Sequence, residues 1–116
     1  MQTKGQHVIA DVWLNEWPIE YPSANEMCGF LAEQAFPEAR LTVVKHGLHE
    51  FGDNLAFTCF WVLAESHFSM HTFPEQNYIS MDCYTCGETA MPLAAITEVM
   101  KYLDVKDAKI TVVPRG

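Results

Sequence analysis

The sequence predicts an α+β fold: a two-layer α/β sandwich, with an antiparallel sheet and two helices on one of its faces, in the order β-α-β-β-β-α-β. Three observations lead there. The chain has 116 residues, the size of a single domain (1–116) with one core. Several short stretches alternate apolar and polar side chains, the period of a strand. Two further segments repeat apolar residues at helical spacing.

In order, His7–Leu14 reads as a strand, with Val8, Ala10, Val12 and Leu14 on one face and Ile9, Asp11 and Trp13 on the other. Asn15–Pro22 holds Pro18 and Pro22 and reads as a loop. Ser23-Ala24-Asn25-Glu26 has the form of a capping box, in which the serine hydroxyl takes an orphan N–H and the glutamate reaches back. A helix follows from about Ala24 to Ala35, with Met27, Phe30 and Leu31 as its apolar stripe, and Pro37 ends it. Arg40–His46 alternates as a strand, and Gly47–Asn54 reads as a loop or an irregular strand end. Leu55–Ala64 is apolar on both faces, as a central strand covered on both sides would be; in so small a domain the second cover is expected from another subunit. His67–Thr72 can return as an adjoining strand closed by Pro74. Tyr78–Tyr84 alternates cleanly, Thr85–Ala90 turns, Pro92–Leu103 is the second amphipathic helix and Lys109–Val113 the last strand.

Composition narrows the function. With 49% hydrophobic and 19% charged residues, the chain has the balance of a globular protein rather than a disordered one. A formal net charge of −8 speaks against nucleic acid or an anionic membrane surface as partner and is compatible with a cationic ligand. Met1–Gln6 is polar with no apolar segment behind it, so no signal peptide is expected. The apolar run Leu55–Ala64 is about half of what a bilayer crossing needs. A soluble, cytoplasmic protein with reduced cysteines (Cys28, Cys59, Cys83 and Cys86) is expected.

The chemistry concentrates in Glu65-Ser66-His67-Phe68-Ser69-Met70-His71-Thr72-Phe73-Pro74-Glu75, which follows the apolar run directly. Four uses of it stand side by side. His67 and His71 with Cys83 and Cys86 offer two imidazoles and two thiolates, a donor set for tetrahedral zinc. Cys83 and Cys86 form a Cys-x-x-Cys pair, although a redox pair belongs at a helix N-terminus. Ser66 or Ser69 can act with a histidine, without any Gly-x-Ser-x-Gly elbow. Lastly, the Ser66 hydroxyl can attack the carbonyl of Glu65, with Thr58, His71 and Cys86 as candidate helpers.

The eleven-residue stretch closely resembles the processing site of the bacterial and archaeal S-adenosylmethionine decarboxylases, Glu-Ser-His-(apolar)-Ser-(apolar)-His-Thr-(aromatic)-Pro-Glu. Asp82-Cys83-Tyr84-Thr85-Cys86-Gly87 resembles a second block of that family, Asp-x-(aromatic)-Thr-Cys-Gly. The His7…Asp11 strand, His49-x-Phe51 and the closing Arg115-Gly116 extend the resemblance over nearly the whole chain. It implies a proenzyme that cleaves between Glu65 and Ser66, into a β chain of residues 1–65 and an α chain of residues 66–116. The α chain would begin with a pyruvoyl group made from Ser66, which takes the substrate amine and accepts electrons as CO₂ leaves. By resemblance His71 assists processing with Thr58 in support, Cys86 is the proton donor, Glu75 holds the ribose hydroxyls, and Phe73 and Phe51 lie near the adenine. The family's dimers of αβ units, with active sites near the interface, agree with the doubly apolar strand.

Two segments depart from the family pattern. Phe51–Cys59 lacks the proline and both glycines of Phe-x-Pro-x-Gly-Val-(Ser/Thr)-Gly and carries one residue more, and Leu14-Asn15-Glu16-Trp17 replaces a frequent Gly-Cys. The expected activity is decarboxylation of S-adenosylmethionine, which makes the aminopropyl donor for spermidine. The alternatives are the same pyruvoyl chemistry on ornithine or arginine, and a non-cleaving zinc-binding module.

Overall fold

A computed structural model of the chain describes residues 4–86 and 89–116. Met1–Thr3, and Gly87 and Glu88 from the expected Thr85–Ala90 turn, lie outside the described residues. The elements are β1 (Gly5–Leu14), α1 (Ala24–Ala35), β2 (Val43–Glu50), β3 (Phe57–Leu63), β4 (Ser66–Phe73), β5 (Tyr78–Cys86), α2 (Pro92–Met100) and β6 (Val105–Arg115). Single 3₁₀ turns, Pro37–Ala39 and Pro74–Gln76, follow α1 and β4. The six strands form one antiparallel sheet in the order β2-β3-β4-β5-β1-β6.

The α+β two-layer architecture is as the sequence predicts, with one strand more than the expected order. His67–Thr72, only a possible strand by sequence, lies within β4, and it sits between β3 and β5. Its mixture of histidines and serines masks a strand whose alternate residues, Phe68 and Met70, are fully buried. Other boundaries move for local reasons. Arg40 takes a left-handed conformation (φ 60°) behind Pro37–Ala39, so β2 begins at Val43 and runs through Gly47–Glu50, paired along β3. Asn54 and Leu55 both have φ 62°, which delays β3 to Phe57. At the other end β5 takes in Thr85 and Cys86, the first two residues of the expected Thr85–Ala90 turn.

One face of the sheet carries the core. Val8, Ala10 and Val12 of β1, Phe57, Cys59 and Trp61 of β3, Phe68 and Met70 of β4 and Ile79, Met81 and Cys83 of β5 are buried there. Met27, Cys28 and Leu31 of α1 and Ala95, Ile96 and Val99 of α2 complete the same cluster. Ser23 caps α1 by accepting from the Glu26 N–H at 3.1 Å, as its sequence requires. Among the described residues no helix covers the opposite face, so the outward residues of β3, Phe60 and Val62, remain 43% and 40% exposed. Trp13, Ile9 and Phe73 share that open face. Among the described residues no helix is long and apolar enough to cross a membrane.

Phe68 packs against Phe36 (5.0 Å between ring centroids) and Trp61 (5.5 Å) at the centre of the core. Phe68→Ala is expected to cost about 3–5 kcal/mol, read as a lower urea midpoint with an unchanged slope.

Candidate active site

The site is built by the hairpin of β3 and β4. Leu63 pairs with Ser66, so Ala64 and Glu65 alone make the turn. Two contacts from the chain before β2 pin this turn: the Ala64 N–H donates to the Thr42 carbonyl (2.9 Å), and the Thr42 N–H donates to Glu65 Oε1 (2.9 Å). Ser66 emerges with φ 151°, a region open almost only to glycine, where a side chain costs on the order of 1–3 kcal/mol. The Cys86 N–H donates to the carbonyl oxygen of Glu65 at 3.1 Å. The Ser66 Oγ lies 3.6 Å from the Cys86 Sγ. The strained peptide between Glu65 and Ser66 therefore has a backbone donor on its carbonyl and a thiol beside its hydroxyl. The Cys86 thiol is exposed and held below its ordinary pKa, by its hydrogen bond with Tyr84 first and that with Ser66 second.

A second group gathers at the other end of β4. Thr58 and His71 are a directly paired couple across β3 and β4, with Thr58 Oγ1 3.0 Å from His71 Nδ1. His49 of β2 pairs with Thr58 from the other side and meets the exposed ring of Phe51 edge-on at 4.7 Å. Phe73 ends β4, stacked on Tyr78 at 5.4 Å, and Tyr78 stacks in turn on Trp13 at 5.5 Å. Glu75 is exposed on the 3₁₀ turn just beyond. The residues singled out by sequence thus form two groups: Glu65, Ser66 and Cys86 at one end of β4, and Thr58, His71, Phe51, Phe73 and Glu75 at the other. Five residues of extended strand, about 16 Å, separate Ser66 from His71.

Between the two groups lies a polar cluster whose members the sequence does not bring together. Asp82 accepts from Ser69 through Oδ1, and its Oδ2 lies 2.7 Å from His7 Nε2 and 3.1 Å from His67 Nε2. Burial alone would raise the Asp82 pKa, but the bonds from Ser69, His7 and His67 outweigh it and hold the carboxyl below its ordinary 3.8. The spacing of these residues gives no signal for the cluster, because His7 and Asp82 are 75 positions apart and meet only through the register of β1 on β5.

The geometry removes three of the sequence alternatives. A zinc site of His67, His71, Cys83 and Cys86 does not assemble. Cys83 points into the helix-covered core, where burial and then the charge of Asp82 push its thiol up to about 12, while both histidines face the open side. Among the described residues the set that brings three ligand atoms together, within 4.8 Å, is His7, His67 and Asp82. Cys83 and Cys86 lie on opposite faces of one strand, so they do not form a redox pair. Ser69 donates to Asp82 and Ser66 neighbours a thiol, so neither serine is set beside a histidine base.

A family model described as S-adenosylmethionine decarboxylase matches residues 6–116. The chain belongs to the S-adenosylmethionine decarboxylase family. A Bacillus anthracis relative named S-adenosylmethionine decarboxylase proenzyme 2 is 35% identical over 117 residues, covering 98% of this chain and 90% of the relative. A Bacillus cytotoxicus S-adenosylmethionine decarboxylase proenzyme is 32% identical over 120 residues, covering 100% of this chain and 87% of the relative. The crystal structure of the adenosylmethionine decarboxylase of Aquifex aeolicus superposes with a TM-score of 0.78 at 28% identity, over 100% of this chain and 93% of that one. The sheet and helices described above are therefore those of the family, and this chain, like the family, is an enzyme.

Asp82 binds fewer protons in the folded chain than in the unfolded one, so its contribution to stability is present above pH 3.8 and is lost as the pH falls through its lowered folded value. Urea midpoints measured from about pH 5 to about pH 2 should fall for the native chain. Asp82→Asn should be less stable at the upper end and lose that part of the decline.

Proposed function

We propose that the chain is a self-cleaving proenzyme that matures into a pyruvoyl-dependent S-adenosylmethionine decarboxylase acting in the cytoplasm. The observation that carries this reading is the Glu65–Ser66 peptide: a serine at φ 151°, its preceding carbonyl bonded by the Cys86 N–H, beside an exposed thiol. The Ser66 Oγ attacks the Glu65 carbonyl carbon, and the developing negative charge on the carbonyl oxygen falls on the Cys86 N–H. The amide C–N bond gives way to an ester between Glu65 and Ser66, which relieves the strained backbone. Removal of the Ser66 α-proton expels the Glu65 carboxylate, ending the β chain at residue 65. The remaining dehydroalanine takes up water and releases ammonia to leave the pyruvoyl group at residue 66. The residues around Ser66 fit this group, since Ser66 opens a strand just behind a turn and its new terminus stays bracketed by β3 and β5.

Once formed, the group supplies a ketone for the substrate amine and an electron sink for departing CO₂. The chain's own side chains do the rest. The Cys86 Sγ delivers a proton to the carbon that lost CO₂. Glu75 binds the ribose hydroxyls, and Phe73 and Phe51 offer ring faces to the adenine. A cationic sulfonium suits a chain with a net charge of −8. The product is the aminopropyl donor of spermidine synthesis.

The functional unit in this reading is a homodimer. His71 and Thr58 cannot serve Ser66 of their own chain from about 16 Å away. The open sheet face, with Ile9, Trp13, Phe60, Val62 and Phe73 exposed around the Asp82 cluster, suits a second copy. A two-fold axis across that face brings the His71 end of one copy against the Ser66 end of the other. Each site would then take Ser66 and Cys86 from one chain and Thr58, His71, Phe73 and Glu75 from its partner.

Denaturing mass spectrometry of the purified protein should give two fragments divided between Glu65 and Ser66, the second carrying a pyruvoyl terminus. Ser66→Ala should remain a single chain. CO₂ release, assayed in parallel with S-adenosylmethionine, ornithine and arginine, should be confined to the first; release from either amino acid alone would reassign the substrate. Ser66→Ala and His71→Ala, each uncleaved when expressed alone, should yield cleaved His71→Ala chains when co-expressed. No cleavage in the mixture would sink the shared site.

A further inference from the structure

The thiol proposed as proton donor sits in a setting built by residues with no role so far. Tyr84 precedes Cys86 by two positions on β5, which puts both side chains on the open face. The Cys86 thiol donates to the Tyr84 phenol oxygen at 3.6 Å. The ring lies over Gly5, the direct partner of Cys86 on β1. A Cβ on Gly5 would stand 2.6 Å from the Tyr84 hydroxyl and 2.8 Å from its Cε1, inside van der Waals contact, so the phenol occupies the volume that a side chain would fill. Arg115, which pairs with Gly5 from β6, sets its guanidinium carbon 5.0 Å from the ring centroid. His7 and His67, the direct partners of Tyr84 on β1 and β4, flank the ring at 5.7 Å and 6.1 Å. Four strands thus converge to place one hydroxyl beside one sulfur.

We propose that Tyr84 is the positioning residue for Cys86, its hydroxyl aiming the thiol at the substrate carbon and stabilising the thiolate that proton transfer leaves behind. The inference rests on the role given to Cys86 above. In the resting site the thiol donates and the phenol oxygen accepts. As the S–H bond breaks and the new C–H bond forms, the electron pair stays on sulfur. The phenol O–H, free to rotate, then donates to the thiolate, and a hydrogen bond to a charged acceptor is stronger than the one it replaces. The interaction therefore strengthens along the reaction, which lowers the barrier rather than merely tightening binding. Water returns the proton to sulfur before the next turnover. The Cys86 pKa below its ordinary value and the Tyr84 pKa above its own are the two sides of this bond. Arg115, His7 and His67 flank the Tyr84 ring, and Asp82, two residues earlier on the same face of β5, is bonded to both histidines. Gly5 acts by leaving room, and Arg115 by holding the ring face.

Tyr84→Phe keeps the ring and removes only the hydroxyl. In the mature protein it should leave cleavage at Glu65/Ser66 and KM unchanged and lower kcat roughly ten- to a hundredfold, the effect of one hydrogen bond to a charged group. Cys86 is the exposed cysteine, with Cys28, Cys59 and Cys83 buried, so the pH profile of iodoacetamide alkylation reports on it directly. The alkylation midpoint should move to higher pH in Tyr84→Phe, and also in Gly5→Ala, which keeps the hydroxyl but displaces it. Tyr84→Phe with the native alkylation midpoint, or with the native kcat, overturns the inference. A parent chain that neither cleaves nor releases CO₂ overturns instead the reading on which Cys86 is a proton donor, and with it the catalytic part given to Tyr84; the alkylation profile, which needs no turnover, still judges the contact.

Discussion

The register of β4 between β3 and β5 is the constraint on which the rest depends. Phe68 and Met70 must face α1 and α2, because they fill the centre of the core. A strand has a period of two, so that demand turns His67, Ser69 and His71 to the open side. It also sets Ser66 opposite Thr85, one residue short of Cys86, and sets His71 opposite Thr58. A slip of one residue would bury the polar set and expose two large apolar side chains. Hydrophobic burial on one face thus fixes the register that sets His71 against Thr58 and Ser66 beside the end of β5.

The two faces of the sheet divide the labour. The helix-covered face supplies stability. The open face carries the Thr58–His71 pair, the Asp82 cluster, the Trp13–Tyr78–Phe73 stack and the Tyr84–Cys86 contact. Polar groups fastened among apolar ones would restrict how the proposed second copy could settle there, since a misplaced copy would leave Asp82 or a histidine facing hydrocarbon.

Strain at Ser66 is held by its surroundings rather than by the residue. The Ala64–Glu65 turn is fastened through Thr42, and the Glu65 carbonyl through Cys86, so the backbone cannot relax toward an ordinary strand conformation. A cost on the order of 1–3 kcal/mol is tolerable in a domain whose sheet is continuous on both sides of β4. The proposed cleavage at this peptide would let the backbone relax, with the new end at Ser66 still paired in β4 and the one at Glu65 in the turn fastened through Thr42.

By itself the sequence determined the class of fold, the capped helix at Ser23, the inward faces of β1 and β5, and the family, because each is written in neighbouring residues: an alternation, a capping box, or a motif within eleven positions. That motif also singled out Ser66 and His71, and the second block Cys86. It could not say that they lie in two groups, since residues five apart look close in a sequence and are far apart on an extended strand. Nor could it show that Cys83 and Cys86 face opposite ways, or that His7, Gly5 and Arg115 come to Asp82 and Tyr84 from strands at either end of the chain. Those placements were decided by the tertiary structure, because antiparallel pairing brings together residues whose distance along the chain carries no information about their distance in space.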